Sequence, residues 1–88
     1  MCGIVAFIGK SKNPQASYDL ITSLMIKTEI RGDDASGFWA TEDRESDDSP
    51  IYFSKEPVKS TLFVQSAMWK ALQGKPLNLF LGHCRKST

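Results

Sequence analysis

Several features that would mark a specialised class of protein are scarce in this 88-residue sequence or missing from it. No apolar run approaches the ~20 residues that a membrane-spanning helix needs. Eleven basic and ten acidic residues leave a net charge of +1, which offers no general attraction to nucleic acid or to an anionic membrane. Two cysteines without a recognisable signal peptide favour free thiols and a cytoplasmic location.

A chain of this length forms one domain at most, and it buries only about 60–65% of the surface that its unfolded form exposes. Its content of 41% hydrophobic and 24% charged residues predicts a globular fold and excludes a disordered one. Given the neutral charge balance, Trp39, Trp69 and the phenylalanines are expected in the core, not on a surface that stacks nucleic-acid bases. Composition therefore excludes several classes of protein and leaves the chemistry open.

The hydrophobic pattern predicts the order β, α, β, β, α, β, which is typical of an α+β layered domain. Residues 2–9 are apolar on both faces, which predicts a central strand covered on both sides. Asn13 and Pro14 predict the N-cap and first residue of a helix that buries one face. In full, the predicted elements are helices over 14–29 and 58–73 and strands near 2–9, 36–41, 51–55 and 77–81.

The segment 42–49 carries five carboxylates and one arginine, followed by a proline. We expect it to form the solvated connection of a hairpin. A metal site is the alternative for this acidic run, but the run lacks the spacing and the glycine that calcium loops use. The pattern therefore favours a loop without a metal.

Cys2 is the residue with the most distinctive chemistry, because removal of Met1 would give it a thiol and a free α-amine together. A cysteine thiolate is a strong nucleophile, and an adjacent base supplies the deprotonation. An α-amine with a pKa near ~8 can accept that proton near neutral pH. The alternative is that Cys2 simply opens a buried strand, since cysteine is among the most buried residue types.

Two glycine-rich segments that contain arginine accompany Cys2. One is 31–37, between a predicted helix and a strand, and the other is 82–88, which follows a strand. Glycine lets the backbone turn sharply or approach a ligand closely, and an arginine held there suits bidentate recognition of a carboxylate. Each segment alone is a weak signal.

Taken together, three motifs in order resemble those of the class II glutamine amidotransferases, which are N-terminal-nucleophile (Ntn) hydrolases. The motifs are Met1-Cys2-Gly3-Ile4-Val5, then Arg31-Gly32-x-Asp34-x-Ser36-Gly37, then Gly82-His83-x-Arg85-x-Ser87-Thr88. The resemblance spans the whole chain. The spacing is most similar to the glucosamine-6-phosphate synthase type.

The resemblance implies that Cys2 attacks the side-chain carboxamide of L-glutamine while its own α-amine shuttles the proton. Ammonia would pass to an acceptor in a synthase domain or subunit, and no cofactor or metal is implied. Arg85 matches the arginine that grips the α-carboxylate of glutamine, and Thr88 matches a hydroxyl in the same pocket. Arg31 matches an arginine near the nucleophile that orders the N-terminus.

The remaining motif residues are implied to support the site. Asp34 is expected to stabilise its turn, and His83 is expected to be structural and not the catalytic base. The supporting set is Gly3, Gly32, Asp34, Gly37, Gly82 and His83. Cys84 departs from the usual motif and is expected to place a second thiol near the pocket, while Lys86 replaces a common aromatic residue.

The implied fold is a four-layer α/β/β/α sandwich with Cys2 on its first strand. In the family, an Asn-Gly pair that forms the oxyanion hole and an Asp that binds the α-amine follow the second arginine motif, and neither occurs in these residues. Residues 1–88 are therefore expected to be the N-terminal portion of the glutaminase domain and about the first half of its sandwich.

Other interpretations remain open at this point. The chain could be a truncated or degenerate relative that binds glutamine or a partner without turnover. It could instead be a half-domain, or part of an oligomer, that is completed by another chain. Chemically, His83 could form a dyad with Cys2 or Cys84, and the same three residues could supply zinc ligands, although their spacing is poor for a tetrahedral site.

Overall fold

The computed structural model describes residues 2–9 and 12–86, which form a four-stranded antiparallel sheet with the main helix packed against one face. The strands are β1 (Cys2–Ile8), β2 (Ala35–Thr41), β3 (Ile51–Glu56) and β4 (Leu79–Arg85), and the helices are α1 (Pro14–Thr28), α2 (Ser60–Phe63) and α3 (Ala67–Lys70). A 3₁₀ turn, Glu29–Arg31, follows α1. This architecture confirms the predicted α+β class.

The strands lie in the order β1-β4-β2-β3, so β1 is an edge strand of this sheet. The prediction of a central strand covered on both sides is wrong for residues 2–9. Val5 is buried under the helices, but the alternate residues Ile4 and Ile8 are exposed. The apolar run indicated a strand correctly, but its position in the sheet depends on pairing with β4, which no local pattern encodes.

Helix α1 begins as predicted, at Pro14. The side-chain oxygen of Asn13 accepts a hydrogen bond from the backbone N–H of Ala16 at 3.1 Å, which satisfies one of the free donors of the first turn. The helix buries Ile21 and Met25 against the sheet. No helix in the described part of the chain is long and apolar enough to cross a membrane.

The core between the sheet and the helices is built around four aromatic side chains, Phe38, Phe63, Trp69 and Phe80. Five ring pairs among them have centroids 5.5–6.0 Å apart, mostly in edge-to-face or tilted arrangements. The indole N–H of Trp69 donates to the hydroxyl of Thr22 at 3.0 Å, so its polar atom is satisfied. Trp69 therefore joins α3 to α1.

The prediction of one helix over 58–73 is wrong, because two short helices occupy this segment. Phe63 and Trp69 are six residues apart, which would put them on different sides of a continuous helix. A break between α2 and α3 lets both side chains enter the core. The hydroxyl of Ser66 accepts the N–H of Trp69 at 3.2 Å and starts the second helix, and Leu62 and Met68 are left about half exposed.

The acidic segment 42–49 connects β2 to β3, as the hairpin prediction requires. The N–H of Asp43 donates to the hydroxyl of Ser49 at 2.8 Å, and the N–H of Arg44 donates to the side chain of Asn78 at 3.0 Å. The first bond closes the loop on itself, and the second fastens it to the residue before β4. Within residues 2–9 and 12–86, no cluster of three His, Cys, Asp or Glu side chains could hold a metal ion.

The face of the sheet away from the helices carries no covering element in the described residues, and we call it the open face. It is formed by alternate residues of all four strands. Its large apolar side chains are Ile4 (77% exposed), Ile8 (65%), Trp39 (37%), Ile51 (56%), Phe53 (67%) and Leu81 (44%). The expectation that Trp39 and all the phenylalanines lie in the core is therefore wrong for Trp39 and Phe53.

Candidate functional site

Cys2 and Arg85 lie directly opposite each other on the neighbouring strands β1 and β4. Opposed residues of an antiparallel pair have Cα atoms about 4.5–5.5 Å apart, and their side chains project to the same face. Both residues are exposed, and both project to the open face. Cys2 does open a strand, as the alternative interpretation held, but the residue is exposed and not buried. The structure instead brings the predicted nucleophile and the predicted carboxylate-binding arginine to one corner of the sheet.

The segment Arg31–Asp34 packs against the same corner from the end of α1. The N–H of Asp34 donates to the backbone oxygen of Arg85 at 2.9 Å. A Cβ atom on Gly32 would lie 2.4 Å from the carbonyl carbon of Arg85, so only glycine allows this approach. The second motif therefore holds the backbone of the third in place through backbone contacts, and the supporting role of the Asp34 side chain stays a prediction.

Arg31 reaches the corner from the helix side of the sheet. A Cβ atom on Gly3 would lie 2.3 Å from Cγ2 of Thr28 and 2.9 Å from Cβ of Arg31. The aliphatic part of Arg31 thus packs against the residue that follows Cys2. This contact suits a residue that positions β1, while Cys2 and Arg85 project to the opposite side.

His83 projects to the open face and leans over Gly37. A Cβ atom on Gly37 would lie 2.5 Å from Nε2 of His83, so the ring occupies the space that a side chain on β2 would fill. Because β4 lies between β1 and β2, this lean takes the ring away from Cys2. The geometry therefore favours the structural role of His83 over a dyad with Cys2.

The motif glycines let neighbouring groups pack closely against the backbone. They do not form the sharp turns that the sequence analysis also allowed. Gly37 lies within β2, and Gly82 to Arg85 lie within β4, which runs four residues further than predicted. A Cβ atom on Gly82 would lie 2.7 Å from the sulfur of Met25, so this glycine lets α1 approach the sheet. Among the described residues, positive φ angles occur only at Gly9 and Gly74.

Cys84 is fully buried on the helix side of the sheet, so the expected second thiol near the pocket is wrong. Its sulfur lies 2.8 Å from the hydroxyl oxygen of Ser60 and also contacts the carbonyl oxygen of Met25. Adjacent residues of a strand project to opposite faces. Cys84 therefore cannot join Cys2 and His83 in a zinc site, nor form a dyad with His83.

The open face contains a groove beside this corner that the sequence predictions did not identify. Its volume is about 520 Å³, and its lining includes Ile4, Trp39, Phe53, Lys55, Leu81 and His83. Lys55 is the lysine among these lining residues. The alternating residues of Ile51-Tyr52-Phe53-Ser54-Lys55 could have indicated this groove, because they place Phe53 and Lys55 on one face of the sheet.

Glu29, two residues before Arg31, is anchored by the next helical segment. Its carboxylate accepts the backbone N–H and the hydroxyl of Thr61, both at 2.9 Å. The backbone hydrogen bond is the main cause that lowers the pKa of Glu29, and the hydroxyl adds to it. Because Thr61 is in the first turn of α2, Glu29 also supplies an acceptor that the N-cap Lys59 lacks.

Two residues of the predicted mechanism, Met1 and Thr88, lie outside the described residues. The structure therefore gives the geometry of the predicted site for Cys2, for residues 31–37 and for residues 82–85. Comparisons with protein-family models, with curated proteins and with solved structures find no match to this chain.

Proposed function

We propose that this chain is the N-terminal portion of a class II glutamine amidotransferase domain, which releases ammonia from glutamine for transfer to an acceptor. The observation that supports this most directly is the pairing of Cys2 with Arg85 on the open face. The hydrogen bond from the backbone N–H of Asp34 to the backbone oxygen of Arg85 brings the second motif to the same corner. Three segments distant in sequence thus meet at one corner of the sheet.

In the proposed reaction, Met1 has been removed and the α-amine of Cys2 accepts the proton of its thiol. The sulfur attacks the carboxamide carbon of glutamine, and the C–N bond breaks as the amine returns the proton to the leaving ammonia. Water then hydrolyses the thioester, giving glutamate and the free thiol. No oxidant, metal or cofactor enters this sequence of steps.

Arg85 is proposed to hold the α-carboxylate of glutamine in this reaction. A guanidinium presents paired N–H groups that match the two oxygens of a carboxylate. The carboxylate and the carboxamide of glutamine are a few bonds apart, a span that suits two side chains on opposed strand positions. Arg31 is proposed to order β1 through its packing at Gly3.

The proposed complete fold is the four-layer α/β/β/α Ntn sandwich, of which these residues supply one helix layer and one sheet. The exposed apolar side chains of the open face support this, because a second sheet packed there would bury them. The same observation favours a second candidate, a half-domain that becomes active only when another polypeptide covers this face. The proposed location is the cytoplasm, and two unpaired thiols fit a reducing compartment.

The test is glutamine hydrolysis by the processed chain, with and without a second polypeptide that covers the open face. We expect Cys2→Ala to abolish glutamate release in whichever form is active, because the variant lacks the nucleophile. Cys84→Ala is the matched control, since it removes the buried thiol and should retain turnover if it folds. Full activity of the Cys2→Ala variant would contradict the proposal. Glutamine binding without turnover in either form would identify a non-catalytic relative.

A further inference from the structure

The segment 28–34, which joins the end of α1 to β2, contacts both strands that carry Cys2 and Arg85. Its first part packs against Gly3, the residue after Cys2 on β1, so closely that a Cβ atom there would lie 2.3 Å from a side-chain carbon of the segment. Its second part packs against the backbone of Arg85, whose oxygen accepts the N–H of Asp34 at 2.9 Å. The position of this segment therefore affects both strands at the corner of the sheet.

The carboxylate of Glu29 connects this segment to α2, which is distant in sequence. One of its oxygens accepts both the backbone N–H and the hydroxyl of Thr61, each at 2.9 Å. Hydrogen bonds to an ionised acceptor are stronger than those between neutral groups. The backbone N–H of Gly32 in turn donates to the carbonyl oxygen of Glu29 at 3.0 Å, which closes the turn within the segment. Glu29 therefore belongs to the segment through its backbone and to the neighbouring helix through its side chain.

The start of α2 is itself fixed on the sheet. Ser60, the residue before Thr61, is fully buried, and its hydroxyl oxygen lies 2.8 Å from the sulfur of Cys84 on β4. The same oxygen lies 3.4 Å from the hydroxyl oxygen of Ser36 on β2. The partner that holds Glu29 is therefore anchored to the two strands beside the corner, so the contact relates the segment 28–34 to the sheet and not to a loose loop.

From these contacts we propose that Glu29 is a positioning residue of the glutamine site, which acts through the segment 28–34 and does not touch the substrate. The inference rests on the proposed function, because the site that Glu29 positions is the corner formed by Cys2 and Arg85. Without the contact to Thr61, fewer chains hold this corner in the binding-competent geometry, and the apparent affinity falls by the same fraction. Small displacements of a reacting group also slow the chemical step.

The first experiment measures kcat and KM for glutamine in the active form. We expect Glu29→Ala to lower kcat/KM about 10-fold, and Glu29→Gln to lower it less because the amide oxygen still accepts. Adding Thr61→Val to Glu29→Ala should lower it no further, since both changes remove one contact. Asp19→Ala is the matched control: this exposed carboxylate of α1 accepts one hydrogen bond from Gln15 at 2.9 Å, and its variant should keep the native kinetics.

The second experiment, amide hydrogen exchange, tests the same contact without substrate. In Glu29→Ala the amide of Asp34 should exchange at least ~10-fold faster than in the native chain. The amide of Asn78, which donates to the carbonyl oxygen of Thr41 at 3.0 Å at the other end of the sheet, should keep its rate.

Unchanged exchange at Asp34, equal acceleration at Asp34 and Asn78, or native kinetics in Glu29→Ala would each overturn the proposal. Equal acceleration would show only a general loss of stability. A native chain without turnover in any form would contradict the proposed function instead, and the exchange rates would still decide whether Glu29 holds the segment 28–34 in place.

Discussion

At the scale of single residues, the glycines of the three motifs are explained by what a methyl group would meet. At Gly32 a Cβ atom would meet the backbone of Arg85 and Lys86, which cannot move without disturbing β4. At Gly37 it would meet the ring of His83, which is a side chain and can rotate. Replacement by alanine should therefore lower the free energy of unfolding by different amounts at Gly32 and at Gly37.

We expect Gly32→Ala to lower the free energy of unfolding by about 1–3 kcal/mol, the range for overpacking that forces the backbone to shift. Gly37→Ala should lower the free energy of unfolding by a smaller amount. Adding His83→Ala to that variant should restore part of the lost stability, because the ring that the new methyl group meets is removed. Urea denaturation of the native chain and of these three variants measures the free energies. An unchanged stability for Gly32→Ala would mean that segment 31–34 does not pack on the end of β4.

Arg85 allows a test of substrate binding that is separate from chemistry. We expect Arg85→Ala to raise KM for glutamine about 10- to 100-fold, since a hydrogen-bonded charge contributes roughly 1.5–3 kcal/mol, while kcat changes much less. Arg85→Lys should recover only part of the affinity, because lysine keeps the charge and loses the paired donors. Steady-state kinetics in the active form separates the two constants. An unchanged KM would contradict the carboxylate role.

At the scale of secondary-structure elements, Glu29 joins the turn after α1 to the start of α2. Hydrogen bonds from Thr61 favour its ionised form and lower its pKa. A carboxylate with a lowered folded-state pKa stabilises the fold fully above its ordinary pKa, and this contribution is lost as pH falls through the folded value. The segment next to Arg31 should therefore loosen in acid.

We expect the stability of the native chain to fall more steeply below about pH 4.3, the ordinary pKa of glutamate, than that of Glu29→Gln. Above that pH the variant should be the less stable of the two, because its neutral amide accepts weaker hydrogen bonds. Chemical denaturation between pH 3 and pH 7 gives both curves. Parallel curves would show that the contact with Thr61 does not persist in solution.

The sequence predicts elements well where the determining contacts are local. Asn13 and Pro14 define the start of α1, and the hairpin around the acidic loop follows from its composition and the alternation on either side. The break in the helix at Ser66 is harder to predict from the sequence, because it depends on Phe63 and Trp69 entering one core. Local periodicity cannot show that two aromatic side chains pack into the same core.

At the scale of the whole molecule, the motifs anticipated one contact between distant segments, while the order of the strands was not predicted. Cys2 and Arg85 were expected to act together, and the register of β1 with β4 places them opposite each other. Cys84 was expected nearby, yet strand alternation puts it on the buried side. The edge position of β1 and the open face were not predicted, since both depend on the order of the strands.

The central claim is that Cys2 is an N-terminal nucleophile beside a glutamine site. The most direct measurement is the intact mass of the chain before and after exposure to a glutamine analogue that alkylates activated thiols. We predict loss of Met1 and the addition of one label on Cys2, which excess glutamine prevents, with buried Cys84 unlabelled. A chain that retains Met1 and takes no label, or that is labelled equally on both thiols, would contradict the claim.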